Sequence, residues 1–348
     1  MDDKQLVKFG SSKTKLLHNF SHNDKLVKEV KYYDFDLDLP RSIRWKHIFD
    51  ANNDKLEQLK AHANKILMPY LNILSYLELG FNLIDKDNIK FSEELEYIAK
   101  RMDMKFFHVI LLQLVYEAHS ACTSAVFTIG SETYLYRTMD WEMPFLKDIT
   151  IGLQIKRNGE YISHVVTWLG CVGFFTASSI TNKYSVAINY RRTQEMDVTT
   201  SLTNGIRCVA GIYPICYLVR EIINSQNLSD AIKTFKDTEL ISPCYIILYN
   251  QIQTNESVVI TRDYDKAINV RYTNLIQTNC DYNKLVPNIL FSLQRRALFE
   301  QLIKDLNNRN GEKLSYEKIL RALSVFPILN EETIYVHFEH KYKYVTFI

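Results

Sequence analysis

The sequence predicts an α+β protein of two stacked sheets flanked by helices, on three observations. Helix-period apolar spacing marks the part before residue 119. From Cys122 onward the texture changes to short alternating or β-branched runs, the first two separated by Gly130-Ser131. The runs then arrive as strands, a helical pair, strands, a second helical pair and closing strands, an order that sheets covered by helices explain.

Taken in order, residues 1–30 are polar and slightly basic with no hydrophobic period, which predicts a poorly ordered arm or a first short helix. Leu37–Pro40 is extended, because proline forces its predecessor out of the α region. Residues 42–66 read as a helix. Leu67–Leu83 is unusually apolar, but Pro69, Glu78 and Gly80 interrupt it, so it does not qualify as a membrane span. It reads as a core helix or as one making peripheral contact with a membrane surface. Helices at Phe91–Lys100 and Met104–Ala118 complete the first part.

After the hairpin around Gly130-Ser131, strands are expected at Ile149–Lys156, Tyr161–Leu169, Cys171–Ala177 and Lys183–Tyr190, then helices at Leu202–Ile223 and Leu228–Lys236. Strands follow at Cys244–Asn250, Ser257–Thr261, Ile268–Arg271 and Leu275–Thr278. Helices at Asn288–Asn307 and Tyr316–Val325 precede closing strands at Thr333–Phe338 and Tyr344–Ile348.

Composition narrows the function classes. The 348 residues are 47% hydrophobic and 24% charged, ordinary for a globular protein with ample core. A net charge of +2 predicts no attraction to nucleic acid, and with only 10 glycines a Gly-rich phosphate loop is not expected. No internal repeat, low-complexity tract or metal-binding Cys/His spacing is visible, and nothing calls for a cofactor. All six cysteines fall at or after position 122. A chain cut before Cys122 therefore has no disulfide between its pieces. Met1–Gly10 has no apolar h-region and is not a conventional signal peptide, so either the sequence is trimmed at its start or the protein begins in a reducing, cytoplasmic compartment.

Cys122 sits where the helical pattern gives way to strands, and a tight hairpin returns Arg137 and Asp140 toward it. That places a thiol, a fixed cation and a carboxylate in one neighbourhood. A guanidinium favours the thiolate, the nucleophilic form, and does not lose its own proton. The alternative is a buried, inert thiol beside an ordinary ion pair. His119 lies three residues away, but neighbours in sequence are not neighbours in a site, and no catalytic role is assigned to it.

Cys122-Thr123-Ser124, followed by Arg137-x-x-Asp140, resembles the start of the β-subunit in the acid ceramidase and N-acylethanolamine-hydrolysing acid amidase family. Asp36-Leu37-Asp38-Leu39-Pro40 with Arg44-Trp45 is similar to an element of that family's α-subunit, and Tyr116-Glu117 to the pair preceding its nucleophile. Val258–Asp263, Gln277-Thr278-Asn279 with Asp281, Arg295-Arg296 and Pro327-Ile328-Leu329-Asn330 follow in the family's order.

The resemblance implies an Ntn-hydrolase αββα sandwich (residues 122–348) behind a mostly helical α-subunit (1–121), with self-cleavage between Ala121 and Cys122 and the pieces staying associated. It implies Cys122 as nucleophile, its freed α-amine as base, Asp140 holding that amine and Arg137 steadying thiolate or substrate. Asn279 becomes an oxyanion donor and Arg295 the second arginine, with Arg296 as the alternative match. Asn189 and Tyr190, at a strand end, and Trp168 and Gly173, in a loop that walls the acyl site, become substrate contacts. The implied substrate is a lipid amide, ceramide first and an N-acylethanolamine as alternative; a non-catalytic lipid-binding relative is the reading from another class. The family resembled is lysosomal, in contrast to the cytoplasmic expectation from the N-terminus.

Overall fold

Strand pairing organises the molecule. The computed structural model describes residues 28–68, 86, 89–117, 120–193, 198–283, 288–309, 314–341 and 343–348. The expectations for the N-terminal arm, for most of Leu67–Leu83 and for His119 lie outside the described residues.

The strands are β1 (Tyr32–Asp36), β2 (Ala121–Ile129), β3 (Glu132–Asp140), β4 (Thr150–Arg157), β5 (Glu160–Trp168), β6 (Thr176–Ser179), β7 (Tyr184–Tyr190), β8 (Cys244–Asn250), β9 (Val258–Arg262), β10 (Ala267–Arg271), β11 (Ile276–Gln277), β12 (Thr333–His340) and β13 (Lys343–Phe347). The helices used below are α1 (Lys46–Asp50), α2 (Leu56–Leu67), α3 (Ser92–Met102), α4 (Phe106–Gln113), α5 (Leu146–Ile149), α6 (Val198–Val209), α7 (Ile215–Ile222), α8 (Leu228–Asp237), α9 (Ser292–Asn307) and α10 (Tyr316–Leu323).

An eight-stranded sheet runs β1-β4-β5-β6-β7-β8-β9-β10 and a five-stranded one β11-β2-β3-β12-β13. Every pairing is antiparallel except β1 with β4. Strand β8, CYIILYN, is buried throughout, because side chains on its two faces enter two different cores. Val126, Leu135, Ile247 and Val259 fill the space between the sheets. Phe127 and Tyr136 pack outward on Phe299 of α9 and Leu323 of α10. On the far side, Phe49 of α1, Ile98 of α3 and Val219 of α7 join Ile151 and Val166 of the larger sheet in one core. The layers are helix, sheet, sheet, helix.

Local chemistry sets the breaks. Gly130, at φ +60°, turns β2 into β3. The single helix expected over Leu202–Ile223 is two, because Gly211 at φ +90° ends α6 and Pro214 caps α7. Asn227 and Ser315 cap α8 and α10 through hydrogen bonds to Asp230 N and Lys318 N. The strand expected over Cys171–Ala177 is confined to Thr176–Ser179, since Phe174 N–H bonds the carbonyl of Cys216 in α7 instead of a strand.

Strand β1 is a feature of the first part that sequence reasoning did not find. It adds to the edge of the larger sheet, Tyr32 opposite Gly152. A Cβ on Gly152 would lie 2.3 Å from the Tyr32 ring, so only glycine admits this approach. The 42–66 segment is likewise broken, into α1, two short 3-10 turns and α2.

Candidate active site

Cys122 is the second residue of β2 and is fully buried. Alternation along a strand decides what it meets. Cys122 and Ser124 point between the sheets, as do Arg137 and Met139 on the paired strand β3, while Thr123, Thr138 and Asp140 point the other way, toward α9. The carboxylate expected beside the thiol is therefore on the opposite face of the sheet from it.

On the inner face, Arg137 Nη2 stands 3.6 Å from the Cys122 Sγ and donates to the Ile188 carbonyl at 2.9 Å. Its Nη1 donates to Phe175 O at 3.2 Å and meets the hydroxyls of Thr176 and Tyr335. A fully buried guanidinium thus ties the smaller sheet to the larger while facing the thiol. Tyr116 Oη lies 4.0 Å from Sγ and donates to Ile188 O at 2.7 Å, and Met139 Sδ is 3.7 Å from the thiol. Among the described residues no imidazole stands beside this sulfur.

The Cys122 backbone nitrogen has a different partner, the Oδ1 of Asn279 at 2.7 Å. The Asn279 Nδ2 donates to Tyr190 O at 2.9 Å and Ser120 O at 3.3 Å. In the continuous chain Asn279 is therefore an acceptor at the Cys122 nitrogen as much as a donor. Arg295, reaching in from α9, joins the two faces. Its Nη2 donates to Asn279 Oδ1 at 2.9 Å and its Nη1 to Thr123 Oγ1 at 2.8 Å and Asp140 Oδ2 at 3.3 Å. Arg296 points away, toward Asp281 O at 3.5 Å and the Tyr282 ring, which settles which arginine enters the cluster.

Asp140 also accepts from Thr333 Oγ1 at 2.7 Å and Thr138 Oγ1 at 3.3 Å. Burial pushes its carboxyl above the usual range while Arg295 and these hydroxyls pull it back. Burial likewise lowers Arg295, against the opposing effect of Asp140. Asp140 touches neither the thiol nor the Cys122 nitrogen; it reaches the nitrogen through Arg295 and Asn279.

The proposed substrate contacts separate. Asn189 Oδ1 accepts from Ser124 Oγ at 2.7 Å, and its Nδ2 donates to Gln277 O at 2.9 Å, one strand layer from the thiol. Tyr190 offers its backbone carbonyl to Asn279, and burial pushes its phenol up to about 12. Trp168 lines an apolar cavity with Trp141, Leu59, Ile98, Met102 and Leu169. Tyr116 packs on both tryptophans at 6.4 Å between centroids, so its ring links this cavity to the cysteine. Trp168 Nε1 is buried without a partner. Gly173 is not part of that wall: a Cβ there would sit 2.4 Å from Cys216 Sγ, so it serves the packing of α7.

Sequence reasoning named Tyr116 only through the family resemblance and missed Trp141. A helical tyrosine six positions before the nucleophile carries no local signal for a contact that the fold creates. The element Asp36–Pro40 with Arg44-Trp45 proves architectural. Arg44 Nη2 and Nε donate to Leu37 O at 2.6 Å and Leu39 O at 2.9 Å, and Trp45 Nε1 donates to the buried Glu94 at 2.8 Å. All six cysteines are free thiols.

The αββα sandwich has the fold of the Ntn-hydrolases. Within that class the chain belongs to the family of acid ceramidases and N-acylethanolamine-hydrolysing acid amidases, amidohydrolases of lipid amides. It is 29% identical to the rat N-acylethanolamine-hydrolysing acid amidase over 70% of this chain and 67% of that one. It is 25% identical to human acid ceramidase over 88% and 82%. An uncharacterised protein of Acanthamoeba polyphaga mimivirus is 41% identical over 89% of this chain and 96% of its own length. The solved structure of the Caenorhabditis elegans N-acylethanolamine-hydrolysing acid amidase ortholog matches 62% of this chain and 92% of that one, with a TM-score of 0.51 at 24% identity. No family model matches the chain.

Proposed function

We propose that this protein is a self-processing cysteine amidase that hydrolyses the amide bond of a lipid, ceramide in the first reading, to an amine and a fatty acid. The observation that carries the proposal is the split environment of Cys122: its sulfur faces the Arg137 guanidinium at 3.6 Å while its nitrogen faces the Asn279 carbonyl oxygen at 2.7 Å. With no imidazole beside the thiol among the described residues, the residue's own nitrogen is the base in reach. A free α-amine has an ordinary pKa of about 7.7–8.0, suited to taking the thiol proton and returning it to a leaving amine.

Self-processing uses the same groups. The Cys122 thiol attacks the Ala121 carbonyl carbon, the acyl group passes from nitrogen to sulfur, and water hydrolyses the thioester to leave the Ala121 carboxylate and a free Cys122 amine. Asn279 Oδ1 then holds that amine, with Arg295 and Asp140 fixing the orientation of Asn279 from behind. The departure of Ser120 frees one bond of Asn279 Nδ2, which becomes available to a developing oxyanion; such a donor is worth about 2.7–4 kcal/mol of barrier. The thioester formed on substrate is resolved by water in the same manner.

The apolar cavity beside Tyr116 suits an acyl chain, at about 0.8 kcal/mol for each buried methylene. After cleavage the two pieces stay together through the β1–β4 pairing and the buried ion pair between Glu94 and Arg220 at 2.5 Å. The N-acylethanolamine reading is favoured by the identity to the rat amidase, 29% against 25% for human ceramidase. The Arg44-Trp45 element does not weigh against it, being architectural.

The test is intact mass of wild type and Cys122→Ala before and after incubation at mildly acidic and neutral pH, followed by assays of the amine released from ceramide and from an N-acylethanolamine. Two fragments and turnover in wild type alone are expected. Fragments or turnover in Cys122→Ala sink the proposal; release of ethanolamine without sphingoid base moves the substrate to the second reading.

A further inference from the structure

The space between the sheets is apolar around Val126 and Ile247, yet farther along β12 from the Cys122 end it holds a buried polar cluster. His164 comes from β5 of the larger sheet, His337 and Glu339 from β12 of the smaller. One ligand atom from each lies within 4.8 Å of the others, and all three residues are buried. We infer that His164, His337 and Glu339 form a divalent transition-metal site of the zinc class that pins the two sheets together.

The first support is His164. The residue is 5% exposed, and neither ring nitrogen has a hydrogen-bond partner. A buried polar atom left unpaired destabilises the fold, and this imidazole carries two. An imidazole held between two sheets with both nitrogens free of hydrogen bonds is available to a metal.

The second support is the surroundings of the other two groups, which resemble the outer shell of a metal centre. His337 Nδ1 is paired with Thr346 Oγ1 at 2.7 Å, and that hydroxyl meets Tyr32 Oη at 3.0 Å, which leaves Nε2 facing the cluster. Glu339 Oε1 is saturated by Ser178 and Ser185 at 2.8 Å each and by Gln251 Nε2 at 2.7 Å, which leaves Oε2 facing the same point. The two remaining atoms stand 3.5 Å apart. That is long for a charge-assisted hydrogen bond. It is close to the separation of about 3.3–3.4 Å between two ligands of a tetrahedral zinc with bonds of about 2.0–2.1 Å.

Charge points the same way. Among the described residues no lysine or arginine pairs with the fully buried Glu339. Two imidazoles and one carboxylate suit zinc or its cobalt substitute better than the hard cations calcium and magnesium, which take oxygen ligands. A water completes the fourth position. Tyr344, partly exposed on edge strand β13, stacks on His164 at 3.5 Å, so the site lies close to a sheet edge. The cluster makes no contact with Cys122, and its role is to hold the sandwich rather than to react.

The experiment is titration of chelator-treated full-length protein with Co²⁺, followed by visible absorption, by the paramagnetically shifted proton signals of bound imidazoles, and by the thermal midpoint with Zn²⁺. One equivalent of Co²⁺, a tetrahedral spectrum, signals from two histidines and a raised midpoint are expected. His164→Phe keeps the ring on Tyr344 without the nitrogens and should abolish this binding. Thr346→Val should weaken it about 10–100-fold. The imidazole signals are read on wild type, so the outcome does not depend on the variants folding. Absence of Co²⁺ binding in wild type, a sulfur-to-cobalt absorption showing cysteine ligands, or full binding in a folded His164→Phe protein overturns the inference.

Discussion

Glu117 offers a pH experiment whose size follows from the structure. It is buried between the start of α7 and the approach to β8, with Oε1 accepting from Ile215 N at 3.0 Å and Oε2 from the Ser242 hydroxyl. Burial pushes its carboxyl from 4.5 up to about 7, the two hydrogen bonds pulling in the other direction. A carboxyl with a folded pKa above its unfolded one holds its proton more tightly when folded. Its contribution to stability is complete below about pH 4.5 and is lost as pH rises through about 7. At about 1.4 kcal/mol per unit, the shift amounts to about 3 kcal/mol. Glu117→Gln copies the protonated shape: the amide oxygen accepts from Ile215 and the amide nitrogen donates to Ser242, and nothing ionises. Urea unfolding at steps from pH 4.5 to 8 should show wild type losing about 3 kcal/mol relative to the variant across that range, with the variant the more stable of the two at pH 8. Parallel stability curves would refute the assignment of the titration to Glu117.

Asn279→Ala strips the Cys122 N–H and the Tyr190 carbonyl of a partner, at about 1–3 kcal/mol each, and should cut amide turnover by about 10²–10³; kcat with an amine-release assay and the urea midpoint read the two effects separately. Arg220→Met leaves Glu94 with Arg44 at 3.4 Å and the Trp45 indole at 2.8 Å, so the loss should fall toward the lower end of the about 3–5 kcal/mol for a broken buried pair. Unchanged urea stability would contradict it. Gly173→Ala should destabilise by about 1–3 kcal/mol, because its methyl meets Cys216 Sγ at 2.4 Å and Cβ at 2.7 Å, and Cys216→Ala in the same chain, which removes only the nearer atom, should recover part of that; additive losses in the double variant would show that the sulfur contact is not a cause.

Much of the fold was legible because its elements carry local signals. The hairpin after Cys122 follows from alternating residues around a glycine that takes φ +60°. The run CYIILYN announces a strand buried on both faces. Where local signals conflict with packing, the reading fails. Tyr32–Asp36 carries two aspartates, poor strand formers, and becomes a strand through the open edge of β4. Cys171–Phe175 has strand-like residues, but its backbone is claimed by α7.

The candidate site divides along the same line. Cys122, Arg137, Asn279 and Arg295 were named from the sequence, and the fold brings them together. Asp140 was expected at the thiol and lies across the sheet, because a strand sends residues 137 and 140 to opposite faces.

By itself the sequence determined two stacked sheets flanked by helices and most of the order of those elements, and its motifs carried the resemblance to the family, since periodicity, turn residues and motif spacing are properties of neighbouring positions. The tertiary structure alone decided which face each side chain meets. It made Arg44-Trp45 an architectural clamp on Glu94, took Gly173 out of the cavity wall, and set Trp141 beside Trp168. It also brought His164 of β5 to His337 and Glu339 of β12, a meeting of two strands far apart in the chain. The physical reason is that contacts between sheets depend on register and stacking, which are fixed by the packing of the whole core and not by any one segment.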